Sequence, residues 1–276
     1  MASRRRLDAE LVRRKIVDSR SEAQRLIEKR AVTVNGSIAD KAARQVDPGD
    51  AIELVGPKKR YVSRGGDKLA AALDAFGIDP AGMTVLDAGA STGGFTDCCL
   101  QRGAARVIAV DVGYNQLHER LRSHERVESH ERFHVKDLTP QQFGLVDLLV
   151  ADLSFISLRS VARPLLSVVA PGADLVVLVK PQFEAGRSEV SKGKGIITDP
   201  EIHARTVAEV SEAFEALGAT RLGSIESPIH GAQGNTEFLV WFRRSASELP
   251  DADLGGARIV GEARIVGESP PRGTRT

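Results

Sequence analysis

From residue 60 to about residue 244 the chain alternates short apolar runs with stretches of helical periodicity. Thr84–Ala88, Arg106–Asp111, Val146–Leu153 and Asp174–Lys180 are the runs, and each closes near an acidic, Gly or Lys residue. Between them, Asp67–Phe76, Ser157–Val169 and Pro200–Leu217 carry apolar residues at helical spacing. Strands that are apolar throughout and separated by helices predict an α/β fold with a parallel sheet covered on both faces. Thr220–Glu226 and Thr236–Arg243 follow with no helix between them, so the sheet is expected to end in an antiparallel pair.

The first sixty residues read differently. Leu7, Leu11, Val12 and Ile16 mark one short helix, and Ser19 with Glu22 three residues on gives the capping-box spacing of a second. Ala31–Val34 runs into Asn35-Gly36, a hairpin turn signal, and Asp47-Pro48-Gly49-Asp50 leads into the strand-like Ala51–Val55. Gly56–Arg60 reads as a linker. Three parts are therefore expected: a small α+β head (1–60), an α/β body (61–244) and a disordered tail (245–276) in which ARIVGE is repeated.

Net charge is +1 over 276 residues, which suggests no electrostatic partner until it is divided. The head holds 15 Lys/Arg against 9 Asp/Glu, a surplus of six, and the remainder holds 23 against 28. A basic head on a mildly acidic body points to an anionic partner, nucleic acid or membrane, or else to six extra charges of solvated surface. No apolar run approaches the roughly 20 residues of a spanning helix, and no apolar stretch follows the N-terminal arginines as a secretory signal requires. The two cysteines, Cys98 and Cys99, are adjacent, so a disulfide scaffold is excluded and a reducing cytoplasm fits. One of them is expected in the core. The six scattered histidines have no zinc-ligand spacing, and no metal is expected.

The most informative stretch is Val85-Leu86-Asp87-Ala88-Gly89-Ala90-Ser91-Thr92-Gly93-Gly94-Phe95. A strand ends, small residues follow and a helix begins; in an open parallel sheet ligands bind beyond such strand ends. Gly89, Gly93 and Gly94 would let a ligand approach the backbone. The order lacks the G-x-G pair of a dinucleotide site, and Asp87 would repel a pyrophosphate. A cationic cofactor such as S-adenosylmethionine fits better, with Asp111, at the end of the next strand, accepting both ribose hydroxyls. A nicotinamide dinucleotide, or a tight turn without ligand, are the alternatives. Lys180 and Asp152 end neighbouring strands, Glu237 begins the last one, and Lys68 opens the first helix of the body, so two lysines and two acids gather at the edges of one sheet.

These residues sit in motifs that resemble the TlyA family, a basic RNA-binding head of the ribosomal-protein S-four type fused to a Rossmann-like methyltransferase body of the FtsJ type. The matching segments are SRGGDKL (63–69), LDAGASTGGFT (86–96), DVGYNQL (111–117), VADLSFISL (150–158), LVKPQFE (178–184) and GNTEFLVW (234–241). The resemblance implies S-adenosylmethionine-dependent 2′-O-methylation of ribosomal RNA, usually at cytidines of 16S or 23S rRNA, and a catalytic tetrad at Lys68, Asp152, Lys180 and Glu237. Lys180 would act as base or alkoxide stabiliser, held by Asp152 and Glu237. Asp87, Gly89, Ser91, Thr92, Gly93, Gly94, Phe95, Asp111 and Asp152 would line the cofactor, with Asp137 on the adenine side. The chain departs from the family in its linker, where Lys59-Arg60-Tyr61-Val62 replaces an R-x-W-V motif.

With that body, the basic residues read as contacts to ribosomal RNA or ribosomal subunits: Arg4, Arg5, Arg6, Arg14, Arg20, Arg25 and Lys29 in the head, Arg64 behind the linker, and Lys192 and Lys194 in a loop (186–195) that would order on RNA or lie on the surface. The head has no aromatic residue, so phosphate and shape recognition is expected there rather than base stacking. A non-enzymatic RNA-binding or assembly factor, and a membrane-active haemolysin, are the competing functions.

Overall fold

The computed structural model describes residues 4–17, 19–55, 60–231 and 233–246. Most of the linker, and the tail with its repeat, lie outside these residues.

In the head, β1 (Arg5–Arg6) leads into α1 (Leu7–Arg13), α2 (Arg20–Glu28), β2 (Val32–Val34), β3 (Ser37–Ile38), β4 (Gln45–Val46) and β5 (Ile52–Leu54). Ser19 caps α2 by accepting from the Glu22 amide at 3.2 Å. Asn35 and Gly36 both take positive φ, as the two-residue turn between β2 and β3 requires. Leu7, Leu11, Ala23, Ile27, Val32, Val34 and Val46 form the core.

Two acids sit in that small core with the head's basic residues around them. Asp8 is fully buried and accepts from Arg6 (3.1 Å), Arg20 (2.8 Å) and Gln24 (3.1 Å). Those hydrogen bonds, Arg6's first, hold its carboxyl well below the usual range. Glu10 pairs with Arg13 at 2.6 Å and Arg14 at 2.8 Å, which keeps its pKa at about 2. Arg14 also donates to the carbonyls of Asp50 (2.6 Å), Pro48 (2.9 Å) and Asp47 (3.2 Å), tying α1 to the turn before β5. Buried carboxylates and carbonyls that need donors thus already engage Arg6, Arg14 and Arg20, three of the residues expected to serve RNA. Arg4 and Arg5 are similarly drawn to Asp47 and Glu10.

The body supplies a seven-stranded sheet. Its strands are β6 (Thr84–Ala88), β7 (Arg106–Asp111), β8 (Val127–Glu131), β9 (Val146–Ala151), β10 (Val169–Val179), β11 (Ala219–Glu226) and β12 (Phe238–Arg244), in the order β11-β12-β10-β9-β6-β7-β8. All neighbours are parallel except β12, which runs against β10 and β11. Helices α3 (Gly65–Phe76), α4 (Gly94–Gln101), α5 (Glu119–Arg122), α6 (Pro140–Phe143), α7 (Ala162–Ser167), α8 (Pro181–Glu184), α9 (Arg187–Lys192) and α10 (Pro200–Glu215) fill the connections. Two apolar clusters cover the faces of the sheet, and both Cys98 and Cys99 are buried in the one under α3 and α4.

Two expectations change and one holds. Residues 157–169 do not form one helix: a 3-10 turn (Leu158–Val161) precedes α7, and β10 begins at Val169 because a bulge lets it pair with β9 on both sides of Pro171-Gly172. The antiparallel pair is present, with β12 inserted between β10 and β11. Residues 187–192, expected as loop, form α9, held by Glu189 pairing with Arg205 at 2.7 Å.

The glycine turn joins β6 to α4. Asp87 ends inside the protein, fully buried, with Oδ2 accepting from the Thr96 amide (2.9 Å) and hydroxyl (2.6 Å). It therefore fixes the start of α4 and does not line the cleft described below, contrary to the cofactor contact expected of it. Burial pushes its pKa up to about 7, and the nearby carboxylates of Asp152 and Asp111 add to the rise. Gly89 has φ +85° and packs on the Asp152 backbone, where a Cβ would stand 2.6 Å from the carbonyl oxygen. Gly93, at φ +95°, is covered by Leu117 and Leu121. Neighbouring protein atoms require both glycines, and Gly89 also lines the cleft described below.

A folded-state pKa raised above the unfolded value favours the folded chain below the unfolded pKa, and that advantage is lost as pH rises through the folded one. Asp87's contribution to wild-type thermal stability should fall as pH rises from the ordinary carboxylate value of 3.8 to about 7, and level off above it. Asp87→Asn keeps an acceptor for Thr96 and should remove that part of the slope. Parallel melting-temperature curves for the two proteins would contradict this account of Asp87.

Candidate active site

The sheet order reverses between β6 and β9, and the switch point lies beyond their carboxyl ends. Four elements deliver charged side chains there: Lys68 from α3, Asp152 just after β9, Lys180 between β10 and α8, and Glu237 just before β12. Lys68, Lys180 and Glu237 are only 8%, 9% and 3% exposed.

The structure divides the four into two pairs. Lys68 Nζ pairs with Glu237 Oε2. Lys180 Nζ lies 2.6 Å from Asp152 Oδ1, close enough for strong charge attraction, but that oxygen has no hydrogen bond of acceptable angle. The directed bond from Lys180 Nζ goes instead to Ser154 Oγ at 2.8 Å. Glu237 thus holds Lys68 and not Lys180, as had been expected, because it enters from β12 on the α3 side. Each of the two buried lysines thus has a carboxylate partner at the same edge of the sheet.

A cleft of about 1260 Å³ opens over these groups. Gly89, Ala90, Ser91, Thr92, Gly94, Phe95, Asp152, Ser154, Lys68 and Lys180 line it from the body. Helix α2 of the head lines the opposite side, through Ser21, Glu22, Arg25, Leu26 and Lys29. Arg25 and Lys29 are exposed and have no ion pair among the described residues. Arg64 lies at the same mouth, donating to the His230 carbonyl at 3.0 Å.

Next to the glycine turn is a small recess lined by Ala90, Ser91, Asp111, Gly113, Gln116 and Glu131. Asp111 accepts from the amides of Ser91 (2.8 Å) and Gly113 (2.6 Å), one on each oxygen, leaving a second lone pair on each. Glu131 Oε1 is buried there without a partner. Unpaired acceptors of this kind have the chemistry to meet the hydroxyls of a ribose at the rim of the recess, which itself encloses only about 10 Å³.

Several expected site residues lie elsewhere. Asp137 is exposed and lines neither the cleft nor the recess; the acid that does close the third strand of the body is Glu131, the last residue of β8. Gly93 lies beneath the leucines. Lys192, on α9, borders a separate recess with Glu189 and Arg205, and Lys194 is exposed beyond that helix.

Phe155 gave no periodic signal in the sequence, yet it stands out here. It is 91% exposed, takes φ +64°, and its ring centroid is 5.2 Å from that of Phe183, whose ring lies 5.8 Å from Lys180 Nζ. An exposed phenylalanine held at an unfavourable φ beside a buried lysine is placed to meet a ligand.

The comparisons with known proteins agree with this geometry. The FtsJ-like methyltransferase family matches residues 61–244, and the S4 domain matches residues 5–52. The chain is 47% identical over 260 residues to the 16S/23S rRNA (cytidine-2′-O)-methyltransferase TlyA of Mycobacterium tuberculosis, covering 91% of this chain and 97% of that one. It is 41% identical to Hemolysin A of Brachyspira hyodysenteriae, over 86% of this chain and 99% of that one. A solved structure of a hemolysin-named protein from Streptococcus thermophilus superposes with a TM-score of 0.71 at 38% identity, covering 92% of this chain and 94% of that one. With its two lysine–carboxylate pairs at the switch point, the chain belongs to the FtsJ-like methyltransferase family.

Proposed function

We propose that this protein uses S-adenosylmethionine to methylate the ribose 2′-hydroxyl of a cytidine in ribosomal RNA, in the cytoplasm. The observation that carries the reading is the convergence of Lys68–Glu237 and Lys180–Asp152 in one cleft whose other wall is a basic helix of the head. The substrate class follows the M. tuberculosis relative. Hemolysin A is the name that favours a second, membrane-active reading, but no helix among the described residues is long and apolar enough to cross a membrane.

S-adenosylmethionine, when bound, supplies a methyl group on a cationic sulfur. Asp111 and Glu131 would hold its ribose hydroxyls, and Ser91 and Thr92 would border it in the glycine turn. Asp152 faces the cleft with a carboxylate that serves Lys180 and suits a cationic neighbour. The protein must then align the acceptor hydroxyl and remove its proton. Lys180 Nζ, as the free amine, receives that proton. Lys68, paired with Glu237, lines the same cleft. Phe155 offers a face for the acceptor base to stack on, and Arg25, Lys29 and Arg64 meet phosphates at the mouth. Holding acceptor and donor in line contributes much of the rate.

Removal of the base tests the reading. Lys180→Ala should lower the transfer of labelled methyl to ribosomal subunits by roughly 10²- to 10⁴-fold. Calorimetry should still show S-adenosylmethionine binding with affinity within about twofold of wild type, because the lysine acts on the acceptor. Retained transfer would refute the assignment.

The head gives a second test. Replacing Arg25 and Lys29 with Ala should weaken RNA binding and flatten its log–log salt slope by about 2, one phosphate contact each. Arg14→Ala should instead destabilise the head, which circular dichroism would show. An unchanged salt slope in the Arg25/Lys29 variant would exclude α2 as an RNA contact.

A further inference from the structure

We infer that Ser154 is a positioning residue for Lys180, fixing the direction in which its amine faces the acceptor hydroxyl. The inference rests on the methyl-transfer reading for its chemistry, though not for its geometry.

A free lysine amine has two N–H groups and one lone pair in tetrahedral arrangement. Rotation about the terminal C–N bond decides where the lone pair points. Asp152 Oδ1, at 2.6 Å but off the hydrogen-bond axis, supplies charge without setting that rotation. Ser154 Oγ, at 2.8 Å, makes the directed hydrogen bond. With one N–H fixed on Ser154 the rotation is set, which confines the lone pair to two positions at the cleft that Ser154 and Asp152 line. The 2′-oxygen then forms its bond to the methyl carbon, the methyl–sulfur electron pair stays on sulfur, and the hydroxyl proton passes to Lys180 Nζ.

The serine can serve this way because its loop is anchored to the lysine's own turn. Glu184, four residues after Lys180 on α8, is buried and accepts from Ser157 Oγ (2.5 Å) and the Leu158 amide (2.8 Å). Phe183 of α8 meets Phe155 with ring centroids 5.2 Å apart. The positive φ at Phe155 turns the chain directly after Ser154. Loop 152–158 and turn 180–184 therefore move as one unit, and the Ser154 hydroxyl keeps its place relative to Nζ.

Ser154 is exposed, so its replacement leaves the core intact. Ser154→Ala should slow single-turnover methyl transfer about 10- to 100-fold through misorientation of the amine. KM for ribosomal subunits and calorimetric affinity for S-adenosylmethionine should stay within about twofold, and Ser154→Thr should restore the rate to within about threefold. A second readout needs no transfer activity: labelling of Lys180 by an amine-selective acylating reagent, followed by mass spectrometry. Loss of this hydrogen bond should change the rate at which Lys180 is labelled at one fixed pH, with Ser154→Thr like wild type. Equal transfer and labelling in Ser154→Ala and wild type would overturn the inference, and so would equal losses in the Ala and Thr variants. If Lys180 labelling changes in Ser154→Ala while the wild-type protein transfers no methyl, the positioning role stands and the proposed function falls.

Discussion

Everything at the carboxyl edge of the sheet depends on one electrostatic condition. Two lysines that are less than a tenth exposed must each have a carboxylate partner, or their burial would cost several kcal/mol apiece. The four groups come from α3, the end of β9, the end of β10 and the start of β12, which are separated by up to 169 residues in sequence. Only the strand order β12-β10-β9-β6 brings them together. The insertion of β12 beside β10 is what sets Glu237 against Lys68. The reversal between β6 and β9 opens the space in front of Lys180. Fold and chemistry are in this sense the same constraint.

The glycine turn shows how tightly that space is made. Asp87 gives up its exposure to hold the start of α4, and Gly89 lies against the backbone of Asp152. A change at the turn therefore displaces a residue of the Lys180 pair, so cofactor site and proton-accepting site are mechanically joined. The loop carrying Ser154 and Phe155 is likewise joined to Lys180 through Glu184. The head closes the third side. Its buried acids, Asp8 and Glu10, engage half of its ten arginines, and Arg25 and Lys29 are cations turned to the cleft.

Much of this was legible in the sequence where burial makes residues uniform. β6 and β7 are read to the residue, because strands covered on both faces are apolar from end to end. β8 escaped notice: Val-Glu-Ser-His-Glu at a half-buried edge has neither an apolar run nor a clean alternation, and Glu131 went unseen with it. The four charged residues of the site are recognisable as types at strand ends, but their pairing is not, since periodicity says nothing of which strands are neighbours. Head charge misleads for the same reason. Counting Arg6, Arg14 and Arg20 as free surface ignores the buried acids that tertiary structure brings to them. Asp87 is the converse, an acid at a strand end whose side chain turns inward once Thr96 offers it two donors.

The account stands or falls on whether ribosomal RNA gains a ribose methyl group through Lys180. The direct measurement is mass spectrometry of nucleosides from ribosomal RNA of cells that lack the chromosomal copy and carry either the wild-type protein or Lys180→Ala at equal abundance. The account predicts a 2′-O-methylcytidine present with the wild type and absent with the variant. The same methylated nucleosides in both cell lines would contradict it.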